Sequence, residues 1–131
     1  MATPRCSILW VEDDDNDFVL FRRAMRGLPE IVVHRERDGA AAEKYLLETE
    51  ILPTLIVSDL KMPDVTGFEL LAWVRTNGTT KELPFVVFSN SNQSKDREAA
   101  AWLGATGFIV KPNKPAEITV IARGWLKFAQ G

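Results

Sequence analysis

The sequence predicts a doubly wound α/β domain, with five parallel strands alternating with five helices across its 131 residues. Two observations carry that expectation. Short apolar runs of strand length recur along the chain, and stretches with helical spacing separate them. Such alternation implies a parallel sheet covered on both faces, because each crossover is right-handed and returns its helix over the sheet. The stretch Leu55-Ile56-Val57-Ser58-Asp59, followed by Leu60-Lys61-Met62-Pro63-Asp64 and Gly67, adds the second observation: an apolar run ends abruptly on a carboxylate. In parallel α/β sheets, ligands and chemistry gather at the carboxyl ends of the strands.

The elements follow in order. Cys6 to Val11 reads as a fully buried first strand, too short for a helix. An unbroken acidic run comes next, Glu12, Asp13, Asp14 and Asp15, with Asn16 or Asp17 expected to cap the first helix. Phe18, Leu20, Phe21, Ala24, Met25 and Leu28 give that helix its apolar stripe, and Gly27 with Pro29 ends it. Ile31 to Arg35 predicts a second strand, and Ala40 to Leu47 a second helix with Tyr45 and Leu46 turned inward. Pro53 opens the third strand, which closes on Asp59; Gly67 starts a helix reaching about Asn77.

Pro84 introduces Phe85-Val86-Val87-Phe88, which exits through Ser89, Asn90 and Ser91. Ser94 is expected to cap a helix over Lys95 to Leu103, with Ala99, Ala100, Trp102 and Leu103 as its apolar side. Gly107 to Val110 predicts the fifth strand, ahead of Lys111-Pro112. Pro115 suits the first turn of a last helix, whose stripe is Ile118, Ile121, Ala122, Trp125, Leu126 and Ala129.

Composition narrows the function classes. A formal net charge of −2 offers no basic footprint for nucleic acid. The single cysteine, Cys6, excludes an internal disulfide and is expected to be a small buried residue. No apolar run approaches the roughly 20 residues that span a bilayer, and no signal peptide opens the chain, so a cytoplasmic protein without membrane attachment is expected. One domain over residues 1–131 is expected, with no output domain after the last helix.

Four predicted strands end on polar residues: Glu12 with Asp13, Asp59, Ser89 and Lys111. Their carboxyl ends share one edge of the sheet, so these side chains can converge. Carboxylates crowded in one crevice repel each other unless protonated or joined by a cation. A hard divalent ion, Mg²⁺ or Mn²⁺, suits carboxylate and water oxygens and commonly bridges to phosphate. A carboxylate is also a competent nucleophile towards phosphorus, and phosphoryl transfer needs in-line positioning and charge neutralisation above all. Asp59 then takes the nucleophile's place, Lys111 supplies a point cation and Ser89 a hydroxyl donor. Plainer roles stand beside these: Asp59 as a loop cap, Ser89 satisfying a backbone group, Lys111 as a surface lysine. Asp14, Asp15 and Asp17 are assigned only to the helix start, where negative charge suits the dipole. His34 is read as a surface or edge residue.

These stretches, Ile-Leu-Trp-Val-Glu12-Asp13, Leu-Ile-Val-Ser-Asp59-Leu-Lys-Met-Pro, Val-Val-Phe-Ser89-Asn-Ser and Gly-Phe-Ile-Val-Lys111-Pro112, together resemble a response-regulator receiver domain from Ile8 to about Phe128. The resemblance implies the flavodoxin-like sheet order 2-1-3-4-5. It implies that Asp59 accepts a phosphoryl group from a histidine kinase or phosphotransfer protein. Asp13, Asp59 and the Lys61 carbonyl would ligate Mg²⁺, with Glu12 acting mostly through water. Ser89 and Lys111 would contact the phosphoryl oxygens, Lys111-Pro112 would be cis, and Phe108 would be the switching aromatic, here without a hydroxyl. Lys61 and Ser91 occupy positions that tune self-dephosphorylation. Gly124-Trp125-Leu126-Lys127-Phe128 is similar to single-domain receivers of phytochrome-type and hybrid kinases, which implies a homodimer burying Trp125 and Phe128, and a downstream protein target. A flavodoxin-like cofactor binder, a receiver that no longer takes phosphate, and an Asp-nucleophile phosphatase are the competing classes. The acidic loop after the first strand disfavours the flavin binder, and Lys61 stands where the phosphatase would need a second acid.

Overall fold

The computed structural model describes residues 5–129. The elements alternate as the apolar pattern requires: β1 (Cys6–Val11), α1 (Asp15–Met25), β2 (Ile31–Glu36), α2 (Gly39–Glu48), β3 (Leu55–Ser58), α3 (Gly67–Thr76), β4 (Phe85–Ser89), α4 (Ser94–Trp102), β5 (Gly107–Val110) and α5 (Pro115–Gly124), then a 3₁₀ turn over Trp125–Phe128. All strand pairs are parallel, in the order β2-β1-β3-β4-β5. The chain therefore runs outward from β1 in both directions, and the crevice lies between the ends of β1 and β3.

Successive strand residues point to opposite faces, which builds two cores. Ile8, Trp10, Leu55, Val57, Val86 and Phe88 face α1 and α5. Leu9, Val11, Ile56, Phe85 and Val87 face α2, α3 and α4. On the first face, Trp10 stacks on Phe21 at 4.6 Å and meets Phe88 and Trp125 edge-on at 5.8 and 5.7 Å. Pairs of this kind add about 0.5–1.5 kcal/mol each beyond area burial. Among the described residues no helix is long and apolar enough to cross a membrane.

Several expectations are corrected. Helix α1 begins earlier than expected: Asp14, not Asn16 or Asp17, is its cap, accepting a 3.0 Å hydrogen bond from the Asp17 N–H. Ser94 is the first residue of α4 rather than its cap. The Ser91 hydroxyl organises that start instead, accepting from the Gln93 N–H and donating to Asp96. Trp102 is 89 % exposed, while Ala100 is buried. At about 100° per residue, two positions carry Trp102 some 200° round the helix from Ala100. Trp125, expected to await a second copy, is 4 % exposed inside its own core, where α5 tightens into the 3₁₀ turn. The Lys111–Pro112 bond is trans, no cis peptide occurring among the described residues. Trans is the lower-energy isomer of an X–Pro bond by about 0.5–1 kcal/mol.

Candidate phosphoacceptor site

Each strand end delivers one polar group to the same rim. Asp59 follows β3 directly, its backbone N–H held at 3.1 Å by the Val11 carbonyl of neighbouring β1. Its Oδ1 accepts from the Leu60 N–H at 2.7 Å and its Oδ2 from Lys111 Nζ at 2.7 Å. Behind it, the α3 start packs without room for a side chain: a Cβ on Gly67 would lie 2.1 Å from the Asp59 carbonyl oxygen. Glycine at that position is what lets α3 begin against the Asp59 backbone.

Lys111 is the centre of the cluster. Its ammonium donates to Glu12 Oε1 at 2.7 Å, Asp17 Oδ2 at 2.9 Å and Asp59 Oδ2 at 2.7 Å, with the lysine side chain only 5 % exposed. Nζ also lies 5.7 Å above the Phe21 ring, so the floor of the site is apolar. Burial alone would depress the ammonium, but its hydrogen bonds to Asp59, Glu12 and Asp17 prevail and hold Lys111 above the usual lysine range. Burial pushes the Glu12 carboxyl up to about 7, with Lys111 pulling the other way.

One oxygen each from Glu12, Asp13 and Asp59 lies within 4.8 Å of the others, a spacing that suits a single cation. All are hard oxygen donors, the set a divalent ion such as Mg²⁺ or Mn²⁺ prefers. Both Glu12 oxygens are already engaged, by Lys111 and by the Asp14 N–H at 3.2 Å. Both Asp59 oxygens are engaged as well, by the Leu60 N–H and by Lys111, so hydrogen bonding does not rank these two carboxylates as ligands. Ser89 lies on the far wall: with Asp59, Lys61, Asn90, Ser91 and others it lines a cavity of about 310 Å³. Its hydroxyl accepts from the Ser91 N–H at 3.2 Å, so a backbone partner and a place at the cavity coexist. Lys61 also lines a second cavity of about 470 Å³, with Asp13, Met62, Phe68 and Asp96. Phe108, half-buried on β5, lies under the Arg97 guanidinium at 4.9 Å.

The structure thus gathers Glu12, Asp13, Asp59 and Lys111 and sets Ser89 and Lys61 at the cavity wall. Sequence reasoning missed two further groups. Asp17, assigned only to the helix start, touches Lys111. The available signal was its place one turn before Phe21, at the head of the core-facing stripe of α1. Arg35, from the edge strand β2, forks onto the Glu12 carbonyl at 3.0 and 2.8 Å, pairs with Asp15 at 2.8 Å and lies over the Phe18 ring at 4.6 Å. It fixes the acidic loop from outside, and nothing in its local sequence announces that. His34, expected at an edge or surface, stacks on Tyr45 at 4.1 Å and contacts Glu36 at 2.5 Å.

Fold and rim together define a class, a doubly wound α/β domain with an acidic crevice closed by one lysine. The chain belongs to the response regulator receiver domains, whose family pattern matches residues 8–123. Among curated proteins it is similar to the two-component response regulator ORR3 of Oryza sativa subsp. indica, 28% identical over 116 residues that cover 88% of this chain and 87% of that one. Its fold neighbours include the phosphorylated cyanobacterial phytochrome response regulator RcpA, with a TM-score of 0.87, 29% identity, and 96% of this chain and 97% of that one covered. The Mn²⁺-bound form of response regulator Rcp1 follows at 0.84, 27% identity, and 92% and 94% coverage.

Proposed function

We propose that this receiver domain takes a phosphoryl group on Asp59 from a histidine kinase or phosphotransfer protein, of phytochrome-type or hybrid-kinase association, and signals to a downstream protein. The observation that carries the reading is the convergence of Glu12, Asp13 and Asp59 within 4.8 Å, beside an ammonium that touches the acceptor oxygen at 2.7 Å.

Asp13, Asp59 and the Lys61 carbonyl would hold Mg²⁺ or Mn²⁺, with Glu12 beside them. The ion, when bound, supplies positive charge to the equatorial phosphoryl oxygens. One Asp59 oxygen attacks phosphorus in line, the P–N bond to the donor imidazole breaks, and the imidazole leaves with the bond's electron pair. Lys111 passes its hydrogen bond from Asp59 Oδ2 to a phosphoryl oxygen, and the Ser89 hydroxyl, released from Ser91, donates to another. The resulting acyl phosphate biases a two-state equilibrium around α4 and β5, which a partner reads. Phe108 lacks a hydroxyl, so its part in that change is one of burial, against or away from Arg97.

Acetyl phosphate with Mg²⁺ tests the reading by intact mass. Wild type is expected to gain one phosphoryl group and Asp59→Asn none. Equal adducts on both proteins, or none on either, would overturn it.

A further inference from the structure

We propose that Asp17 is a positioning residue for phosphoryl transfer, holding Lys111 so that one of its N–H groups faces the acceptor oxygen. The proposal rests on the reading of Asp59 as phosphoacceptor and adds a residue to it.

A lysine ammonium has three donors and no acceptor. Here all three are used, on Glu12 at 2.7 Å, Asp17 at 2.9 Å and Asp59 at 2.7 Å. Two of these partners are fixed to the same corner of the fold. Glu12 follows β1 directly, its Oε2 held by the Asp14 N–H and its carbonyl by Arg35. Asp17 lies in the first turn of α1, its own N–H tied to the Asp14 side chain. With two N–H groups anchored there, the third is left a single direction, towards Asp59. A lysine held at one point would sweep an arc on its four-carbon stem, and its charge would meet the incoming phosphoryl oxygens in only part of that arc.

The plainer role for Asp17 is negative charge at a helix N-terminus. Asp14 and Asp15 already supply cap and charge to that turn, and neither contacts Lys111. Asp17 also lies outside the oxygens that cluster for a cation. Its carboxylate is about one-third exposed, against 5 % for the lysine it holds, so it enters the site from its open side.

The test compares Asp17→Ala, Asp17→Asn and Asp38→Ala in the whole 131-residue chain, Asp38 being the cap of α2 that accepts from the Ala41 N–H at 2.8 Å. At saturating Mg²⁺, Asp17→Ala is expected to react with acetyl phosphate about tenfold more slowly than wild type. Asp17→Asn, which keeps an oxygen acceptor, should recover much of that rate. Asp38→Ala, which removes the cap of α2, should lose thermal stability and keep its rate within about twofold. Nitrogen-15 spectra of Lys111, recorded without metal, give a second readout. Wild type and Asp38→Ala should show a protected ammonium signal that Asp17→Ala loses to solvent exchange. An unchanged Asp17→Ala rate, an equal loss in Asp38→Ala, or a defect confined to the Mg²⁺ half-saturation point would each overturn the proposal. A wild-type protein that takes no phosphoryl group would overturn the phosphoacceptor reading instead, while the ammonium spectra still decide whether Asp17 holds Lys111.

Discussion

Gly67→Ala asks how tightly Asp59 is held by the fold. The added Cβ would stand 2.1 Å from the Asp59 carbonyl oxygen, 2.8 Å from Leu60 Cα and 3.0 Å from the Asp59 carbonyl carbon. Ordinary contact begins near 3.4 Å, so the backbone must yield by more than an ångström, and no flexible side chain is there to absorb it. Neither partner moves freely. The Gly67 N–H donates to the Leu60 carbonyl at 2.9 Å, and the Asp59 N–H is tied to β1. Forcing a methyl into such packing costs about 3 kcal/mol, the upper end of the overpacking range. A reacting group displaced by about 1 Å loses on the order of 100-fold in rate. The assays are urea unfolding and acetyl phosphate labelling. Gly78→Ala, whose Cβ meets nothing within 4 Å, is the control and should leave both within error. A Gly67→Ala protein within about 0.5 kcal/mol of wild type and within threefold of its labelling rate would refute the reasoning.

The pH dependence of stability should follow Glu12. Its folded pKa, raised by burial from 4.5 to about 7, means the folded chain holds that proton more tightly than the unfolded one. Wild type therefore loses stability as pH rises from about 4.5 through 7, by up to roughly 3 kcal/mol, and Glu12→Gln removes that slope. Metal-free urea unfolding at several pH values checks it; parallel curves for the two proteins would contradict it. The tryptophans should separate sharply in the same assay. Trp125→Ala is expected to cost about 3–5 kcal/mol, as a large core side chain, and Trp102→Ala under about 0.5 kcal/mol. Comparable losses would place Trp102 in a core that the structure denies it.

Much of this fold is legible in the sequence because burial on both faces leaves apolar runs with nothing polar inside them, as in Leu55-Ile56-Val57. The strand-end residues are legible for the same reason. A charge that closes such a run, as Asp59 and Lys111 do, stands at a sheet edge whatever its neighbours are. Asp17 escaped because a carboxylate in a first helical turn already has a sufficient local explanation, and its place one turn before Phe21 gains its meaning from a tertiary partner 94 positions away. Arg35 escaped because an edge-strand arginine looks solvated until the loop it clamps is in place. Helix α4 differs: Trp102 groups with Ala99, Ala100 and Leu103 in the sequence, yet it stands about 200° round the helix from buried Ala100. Trp125, which the family resemblance assigns to a dimer contact, is covered by its own core.

The central claim is that phosphorus is carried by one named oxygen-bearing side chain, and reductive trapping followed by peptide mapping tests it most directly. Borohydride converts an aspartyl phosphate to homoserine. After treatment with acetyl phosphate and Mg²⁺, the peptide spanning β3 should carry homoserine at position 59 and nowhere else. Homoserine at position 13, or a protein that labels only on histidine or serine, would contradict the account.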